Sequence, residues 1–269
     1  FSGDPGMFRE AAALVRELGF DGVVIYMGCP DKNVVKQGAG AALIKTPKVA
    51  QEVIRAARDG VRSAGRRIPV SVKTRIGDAK DALAEWLPYL LETEPAAVTV
   101  HARTRKEMSK VPARWELVSE AVEIRDRLGS KTLIIGNGDV RSVDEGMEKA
   151  RESGADGVMV GRGIFGNPWL FSGLRRKPEN SPELVEGLPS AQERLRILVE
   201  HATLFRELYM NPSTGSGSHH IKSFDVMRKH FKAYVNGFPG AAELRAELMK
   251  TMDSRGVSVT IDKYIGNGV

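Results

Sequence analysis

Short apolar runs and longer amphipathic segments follow one another in regular order along residues 1–174. The short runs are rich in Val, Ile and Thr, as strands are, and they predict strands at residues 23–30, 69–75, 96–101, 132–139 and 157–163. The longer segments repeat apolar residues at helical spacing and predict helices at residues 5–18, 47–64, 81–92, 114–128 and 142–153. Strand–helix units that recur about every 30 residues predict a parallel sheet with right-handed crossovers.

Each predicted strand ends in a polar or glycine-rich group. These groups are Cys29, Lys73, His101, Asn137 and the pair Gly161-Arg162. Because the carboxyl ends of parallel strands meet on one rim, we expect these groups to lie together. This arrangement is typical of the active face of a (β/α)8 barrel, and a doubly wound open sheet is the alternative architecture.

The pattern changes after residue 174. Residues 175–189 contain several Pro and Glu residues and predict a linker. Ser190 and Glu193 have the spacing of a capping box at the start of a helix. The helices expected in this region cover residues 190–209, 222–236 and 240–252. Residues 190–269 therefore predict a small all-α domain, and residues 31–40 an irregular loop in the first part of the chain.

Composition narrows the class of protein. The 269 residues are 42% hydrophobic and 28% charged, which is ordinary for a globular chain. A single cysteine excludes an internal disulfide and favours a reducing, cytoplasmic compartment. No apolar run approaches the ~18 residues of a membrane span. The net charge of +6 favours an anionic partner, although the excess is spread over both halves of the chain.

The stretch around Cys29 predicts a buried strand that ends in a tight turn. Gly28 allows the backbone to turn sharply, and Pro30 ends the ladder because it has no N–H. A thiol at the carboxyl end of a strand lies where α/β folds place their chemistry. A lone cysteine is also often a small core residue, so both interpretations stay open.

The last two turns of the predicted sheet are rich in glycine. Residues 136–139 read Gly-Asn-Gly-Asp, and residues 161–163 read Gly-Arg-Gly. In barrels, the loops after the final strands often bind a phosphate through backbone N–H groups, and Arg162 would add positive charge. The alternative is a pair of ordinary βα turns.

Lys73 and His101 are the other two candidate site residues of the rim. Lys73 alternates with Ser71, which favours a polar face directed at a ligand over a surface lysine. His101 is either a ligand contact or a buried, satisfied histidine. No second His or Cys stands at a zinc-ligand spacing from it, so no metal site is predicted.

Five basic or imidazole side chains cluster within the eleven residues 222–232, where Asp225 is the one acidic residue. They are Lys222, Arg228, Lys229, His230 and Lys232. Such a run is either a solvated helix face or a surface that contacts nucleic-acid phosphates.

Several motifs together resemble the dihydrouridine synthases. They are Met-Gly-Cys-Pro at residues 27–30, Val-Lys-Thr-Arg-Ile-Gly at 72–77, His-Ala-Arg-Thr at 101–104, Asn-Gly-Asp-Val at 137–140 and Gly-Arg-Gly at 161–163. Their order and spacing agree with the family throughout residues 1–174. Residues 227–230 and 237–241 also resemble its helical domain.

The resemblance implies an FMN enzyme that reduces uridine in tRNA to 5,6-dihydrouridine, with NADPH as the reductant. Cys29 would be the general acid at uracil C5, and Lys73 and His101 would hold the flavin ring. The family's phosphate contacts fall on Asn137, Gly138, Asp139, Gly161 and Arg162. The basic cluster would contact tRNA phosphates. We expect a cytoplasmic monomer.

Two features depart from the family pattern. Tyr26 stands where the family usually has an asparagine that contacts the uracil or the flavin rim. Residues 1–3 resemble the end of the family's third barrel strand, so we expect a fragment that lacks three strands and their FMN contacts. Two alternatives stay open: a flavin barrel acting on a free pyrimidine, like dihydroorotate dehydrogenases, and an RNA-binding module without catalysis.

Overall fold

The computed structural model describes residues 2–62, 68–172, 189–210 and 222–266. The chain forms two compact units, Phe1–Gly163 and Ile164–Val269. The sequence predicts the boundary at residue 174 instead. Residues 175–188 of the predicted linker lie outside the described residues.

The first unit alternates strands and helices. Its strands are β1 (Val23–Tyr26), β2 (Val70–Arg75), β3 (Ala97–His101), β4 (Leu133–Asn137) and β5 (Gly157–Met159). Its α-helices are α1 (Pro5–Glu17), α2 (Lys32–Lys36), α3 (Pro47–Gly60), α4 (Leu83–Leu91), α5 (Glu116–Arg127) and α6 (Val143–Ser153). Short 3-10 helices cover Gly40–Lys45 and Arg162–Ile164, the second of which reaches the start of the other unit.

The five strands form one parallel sheet in the order β1-β2-β3-β4-β5. The predicted α/β fold with a parallel sheet is therefore confirmed. The register places Arg75 beside His101, His101 beside Asn137, and Asn137 beside Met159. One row of side chains thus crosses four strands at their carboxyl ends, which is where the sequence places the candidate site.

The core of this unit lies between the sheet and its helices. Val72, Val98 and Ile134 on the three central strands are fully buried. The backbones of α1 and α3 approach closely at Gly60. A Cβ at this position would lie only 2.2 Å from the carbonyl oxygen of Arg9, so the contact requires glycine. Burial of this apolar surface stabilises the platform on which the strand ends are held.

Two local predictions for the first unit are wrong. The opening strand is not buried as a whole: Ile25 is buried, but Val24 is 60% exposed and Tyr26 is 38% exposed. Strand β1 pairs only with β2, so its other edge has no strand partner in the described part of the chain. Residues 31–40 are not an irregular loop either, since Asp31 caps helix α2 by accepting hydrogen bonds from the backbone of residues 33 and 34.

The second unit contains four α-helices in its described part. They are α7 (Ala191–Tyr209), α8 (Arg228–Tyr234), α9 (Ala241–Leu248) and α10 (Ser254–Gly266), with a 3-10 helix at Phe224–Met227 before α8. Ser190 and Glu193 form the predicted capping box at the start of α7. Leu198, Phe231 and Val257 are fully buried in the core of this unit.

The end of the chain differs from the prediction. The sequence predicts one helix over residues 240–252, whereas α9 ends at Leu248 and a further helix, α10, begins at Ser254. Residues 211–220 of the predicted loop lie outside the described residues. In the described part of the chain, no helix is long and apolar enough to cross a membrane.

Candidate functional site

A cleft of about 690 Å³ opens at the carboxyl ends of the strands. This volume lies within the range of small-molecule and cofactor sites. All seven predicted cofactor-site residues line it: Lys73, His101, Asn137, Gly138, Asp139, Gly161 and Arg162. The structure therefore brings these residues together.

Lys73 and Asn137 form a hydrogen-bonded chain across the sheet. Lys73 Nζ donates to Asn137 Oδ1 at 2.9 Å, and Asn137 Nδ2 donates to the carbonyl oxygen of Met159 at 2.7 Å. Burial, with help from the charge of Arg75, lowers the pKa of Lys73 to about 8. These two hydrogen bonds fix the ammonium group of Lys73 in the cleft. The ammonium loses its proton more readily than that of a surface lysine does.

His101 is uncharged at neutral pH. Burial, followed by the charges of Arg75, Lys73 and Arg103, lowers the pKa of its imidazole to about 3. Gly138 allows the turn after β4 to approach this ring. Its φ is +131°, and a Cβ there would lie 2.7 Å from the Cβ of Ala113 and 3.3 Å from the imidazole Cδ2.

Asp139 joins two arginines at the rim. Its Oδ2 accepts a hydrogen bond from the guanidinium of Arg103 and another, at 2.9 Å, from the backbone N–H of Ala113. Its Oδ1 lies 3.5 Å from a guanidinium nitrogen of Arg162, whose side chain is 67% exposed. The hydrogen bond from Arg103 is the main reason that the pKa of Asp139 is lowered. This carboxylate orients cations that could bind an anion.

The turn that carries Cys29 is held by its backbone at three points. Met27 N donates to the carbonyl oxygen of Lys73 at 2.8 Å, and Ala41 N donates to that of Cys29 at 3.0 Å. Arg75 Nε donates to the carbonyl oxygen of Gly28 at 2.9 Å. Cys29 is half-buried and is not among the residues that line the cleft, although its neighbour Pro30 is.

Tyr26 and Pro30, on either side of this turn, do line the cleft. The ring of Tyr26 has Lys73 Nζ 5.3 Å from its centroid, a cation–π distance. Burial raises the pKa of its hydroxyl.

Two buried arginines of the site were missed in the sequence. Arg75 is 6% exposed and also donates to the carbonyl oxygens of Thr104, at 3.0 Å, and Met108, at 3.1 Å. It therefore ties the cysteine turn to the loop after β3. Arg103 is 2% exposed. Alternation along β2 assigns Lys73 to the face directed at a ligand. Arg75, two residues later, belongs to the same face, so this pattern could have identified it as a site residue.

The five residues of the basic cluster in the second unit differ in their exposure to solvent. Lys222, Lys229 and Lys232 are exposed, and Lys222 Nζ lies 4.5 Å from the ring centroid of Tyr209. The two other residues are half-buried: Arg228 pairs with Asp225 at 3.0 Å, and His230 packs its ring 4.7 Å from that of His201. Three of the five predicted contacts are thus on the surface.

Comparison with known proteins gives consistent matches. A family model described as dihydrouridine synthase matches residues 1–265. A "Probable tRNA-dihydrouridine synthase" of Staphylococcus aureus strain Mu50 is 38% identical over 261 residues, which are 97% of this chain and 72% of the relative. A "Probable tRNA-dihydrouridine synthase 2" of Bacillus subtilis strain 168 is also 38% identical, over 97% of this chain and 73% of that protein.

Similarity to solved structures is weaker. Histamine dehydrogenase from Rhizobium sp. 4-9 aligns with a TM-score of 0.47 and 18% identity over 63% of this chain and 27% of that chain. The family match and the two relatives nevertheless cover nearly the whole chain, and the motifs at residues 27–30, 72–77 and 137–140 fall within the matched range. The chain therefore belongs to the dihydrouridine synthase family.

Proposed function

We propose that this protein reduces uridines of tRNA to 5,6-dihydrouridine, with FMN bound in the cleft and NADPH as the reductant. The observation that carries the proposal is the row of strand ends that lines the cleft, with Lys73 hydrogen-bonded to Asn137 beside the uncharged His101. Membership of the family and the names of both relatives support the same reaction. They do not favour the alternative of a free-pyrimidine enzyme.

The residues of the cleft fit FMN. Its phosphate needs cations and open backbone, and both are found at Gly161 and Arg162: no atom lies within 4 Å of the position of a Cβ on Gly161, and the Arg162 side chain is largely exposed. Its ring needs polar contacts and a positive charge, which His101, Asn137 and Lys73 supply. When reduced, FMN supplies the hydride that uracil receives at C6.

The residues of the cleft have separate tasks. Lys73 holds positive charge where negative charge develops, and its hydrogen bond to Asn137 keeps the ammonium in place. Asp139 orients Arg103 and Arg162 through its two oxygens. Gly138 lets the backbone come close to the ring of His101.

Cys29 is the proposed proton donor. Its Sγ–H bond breaks as a C–H bond forms at uracil C5, and water then returns a proton to the thiolate. The three hydrogen bonds to backbone groups of residues 27–29 support this role, because they fix the turn that carries the thiol before a base arrives. The target uridine would have to leave its stack to reach the thiol.

The exposed lysines of the second unit are the proposed contacts to tRNA phosphates. Lys222, Lys229 and Lys232 are solvent-exposed cations within eleven residues of the sequence. Arg228 and His230 belong to the same proposed surface, with less of each side chain exposed. The five parallel strands, in sequential order, are proposed to be consecutive strands of a (β/α)8 barrel.

The function is tested by incubating tRNA with the FMN-loaded protein and NADPH and measuring its dihydrouridine content. We expect Cys29→Ala to lower turnover by about 10²–10⁴-fold, the usual contribution of a general acid, and to leave FMN affinity unchanged. Cys29→Ser is the matched control for size and should recover only a small part of the rate, because a hydroxyl is a much weaker acid.

Two outcomes would contradict the proposal in different ways. Equal turnover of wild type and Cys29→Ala would remove the thiol from the mechanism. If the wild-type protein bound FMN and tRNA but formed no dihydrouridine, the proposed reaction would be refuted.

A further inference from the structure

The guanidinium of Arg103 is held in one orientation. Its Nε donates to the carbonyl oxygen of Val111 at 2.6 Å, and one terminal nitrogen donates to Asp139 Oδ2. The other terminal nitrogen lies 3.3 Å from Nε2 of His101. The side chain is 3% exposed, so all three nitrogens have a fixed partner in a buried place.

This contact determines where the imidazole carries its proton. Arginine stays charged in proteins and can only donate hydrogen bonds. Nε2 of His101 must therefore offer a lone pair, and an uncharged ring then has its single proton on Nδ1. We propose that Arg103 is a positioning residue that fixes His101 as the neutral tautomer protonated at Nδ1. A free neutral histidine carries its proton mainly on Nε2, so the protein selects the less common form.

The surroundings of the ring support this assignment. Four charged groups face His101: Lys73 and Arg75 on β2, Arg103 in the loop after β3, and Asp139 in the turn after β4. The three cations oppose a charged imidazole, and burial adds to their effect. Gly138 lies on the Nε2 side of the ring, where a Cβ would be 3.6 Å from Nε2. Because it is a glycine, it places no side chain there. Arg103 is thus the side chain that satisfies this nitrogen.

The tautomer defines what His101 can recognise. In the described part of the chain Nδ1 has no hydrogen-bond partner, and the residue lines the cleft. His101 therefore presents an uncharged N–H that binds an acceptor, such as a carbonyl or phosphate oxygen, and does not bind an N–H group. This deepens the proposed function: if FMN is the ligand, His101 binds one of its acceptors, which are the ring carbonyl oxygens, the unprotonated ring nitrogens and the phosphate oxygens. The ring is then a contact and not a source of protons in competition with Cys29.

The tautomer can be measured on the cofactor-free protein. Protein labelled with ¹⁵N in its five histidines is observed by long-range ¹H–¹⁵N correlation, and the signals of residue 101 are assigned by their loss in His101→Gln. We expect a protonated, pyrrole-type Nδ1 and an unprotonated, pyridine-type Nε2, unchanged between pH 5 and pH 9. A proton on Nε2, or a charged ring in this range, would overturn the inference.

Variants test whether Arg103 is the cause. We expect Arg103→Met to move the proton to Nε2, and Arg105→Met to leave it on Nδ1. Arg105 is a suitable control because it lies on the same loop and pairs with Asp78 instead. If Arg103→Met does not fold, Arg103→Gln replaces it: its amide can donate or accept, so the ring is again free to take the Nε2–H form. A folded Arg103 variant that keeps the proton only on Nδ1 would show that another group selects the tautomer.

FMN binding is measured separately, by titration of the wild-type protein. Absence of binding would refute the proposed function without moving the ¹⁵N signals. The reverse result, FMN binding with the proton on Nε2, would refute the role of Arg103 and leave the proposed function standing.

Discussion

Two glycines at the cleft, Gly138 and Gly161, have different physical roles. Gly138 has a φ of +131° and would place a Cβ against Ala113, whereas a Cβ on Gly161 would meet no atom within 4 Å. We therefore expect Gly138→Ala to destabilise the protein by about 2–4 kcal/mol through backbone strain and overpacking. Gly161→Ala should leave stability within about 0.5 kcal/mol and weaken FMN binding, because the methyl group would occupy the phosphate path.

Urea unfolding and FMN titration separate these effects. Gly129→Ala is the control for strain alone, since Gly129 has a φ of +63° and open space around its Cβ position. It should cost about 1 kcal/mol and leave FMN affinity unchanged. Wild-type FMN affinity in Gly161→Ala would mean that the phosphate does not lie against this backbone.

The buried Lys73 should make stability depend on pH. Its pKa is lowered from 10.5 to about 8 in the folded protein, so the unfolded chain holds more protons between these values. Stability contributed by this residue therefore rises as pH increases from about 8 to 10.5, and is lowest where the folded lysine is charged. Without cofactor, the urea midpoint of the wild type should therefore increase relative to that of Lys73→Met as the pH rises across this range. Parallel midpoints for the two proteins would contradict the buried, weakened charge.

Sequence alone predicts much of the site at the level of residues. Lys73, His101, Asn137 and Asp139 could be found because each lies at or within two residues of the carboxyl end of a parallel strand. Arg103 could not be assigned its role in this way. Its partners are set by the path of a loop, and only the folded chain brings its guanidinium to the imidazole.

At the scale of elements, the start of α7 offers a direct test of local sequence signals. Ser190 Oγ accepts from the backbone N–H of Glu193, and the Glu193 carboxylate accepts from that of Ser190. We expect Ser190→Ala to lower the free energy of unfolding of the second unit by about 1 kcal/mol. Ser258→Ala, within α10, is the control and should change it by only a few tenths. Thermal unfolding followed by circular dichroism measures both variants. If Ser190→Ala and Ser258→Ala lowered stability equally, the capping box would not contribute to the stability of the unit.

The helices and strands show where local patterns stop being sufficient. Periodicity finds the βα units and the capping box, because these depend on neighbours in sequence. It does not reveal which face of β1 is covered, so the exposure of Val24 could not be predicted from a sequence that is typical of a core strand. The separate helix α10 was missed because residues 249–253 interrupt the helical spacing, and a new helix then begins where Asp253 accepts a hydrogen bond from the backbone N–H of Gly256.

At the scale of the molecule, the proposed RNA surface predicts a dependence on salt. Lys229 and Lys232 are exposed, so their replacement should leave the fold intact. We expect Lys229→Gln with Lys232→Gln to weaken tRNA binding and to reduce the slope of log affinity against log salt by about 1 for each phosphate that is no longer neutralised. Filter binding at several salt concentrations measures both quantities.

The control for this experiment is Lys250→Gln. Lys250 is an exposed lysine of the same unit that pairs with Glu247 at 2.6 Å. Its replacement should leave the salt slope unchanged. An unchanged slope in the double variant as well would place the tRNA-binding surface elsewhere on the protein.

The three-point support of the cysteine turn has a consequence for synthesis on the ribosome. The carbonyl oxygens of Gly28 and Cys29 are bonded by Arg75 and Ala41, and Arg75 in turn binds the carbonyl oxygen of Met108. The thiol is therefore synthesised before these partners and acquires its final surroundings only after residue 108 has left the exit tunnel. Until then it is an accessible nucleophile on an unfinished chain, and a nascent protein stalled before residue 108 should be alkylated at this position faster than one released in full.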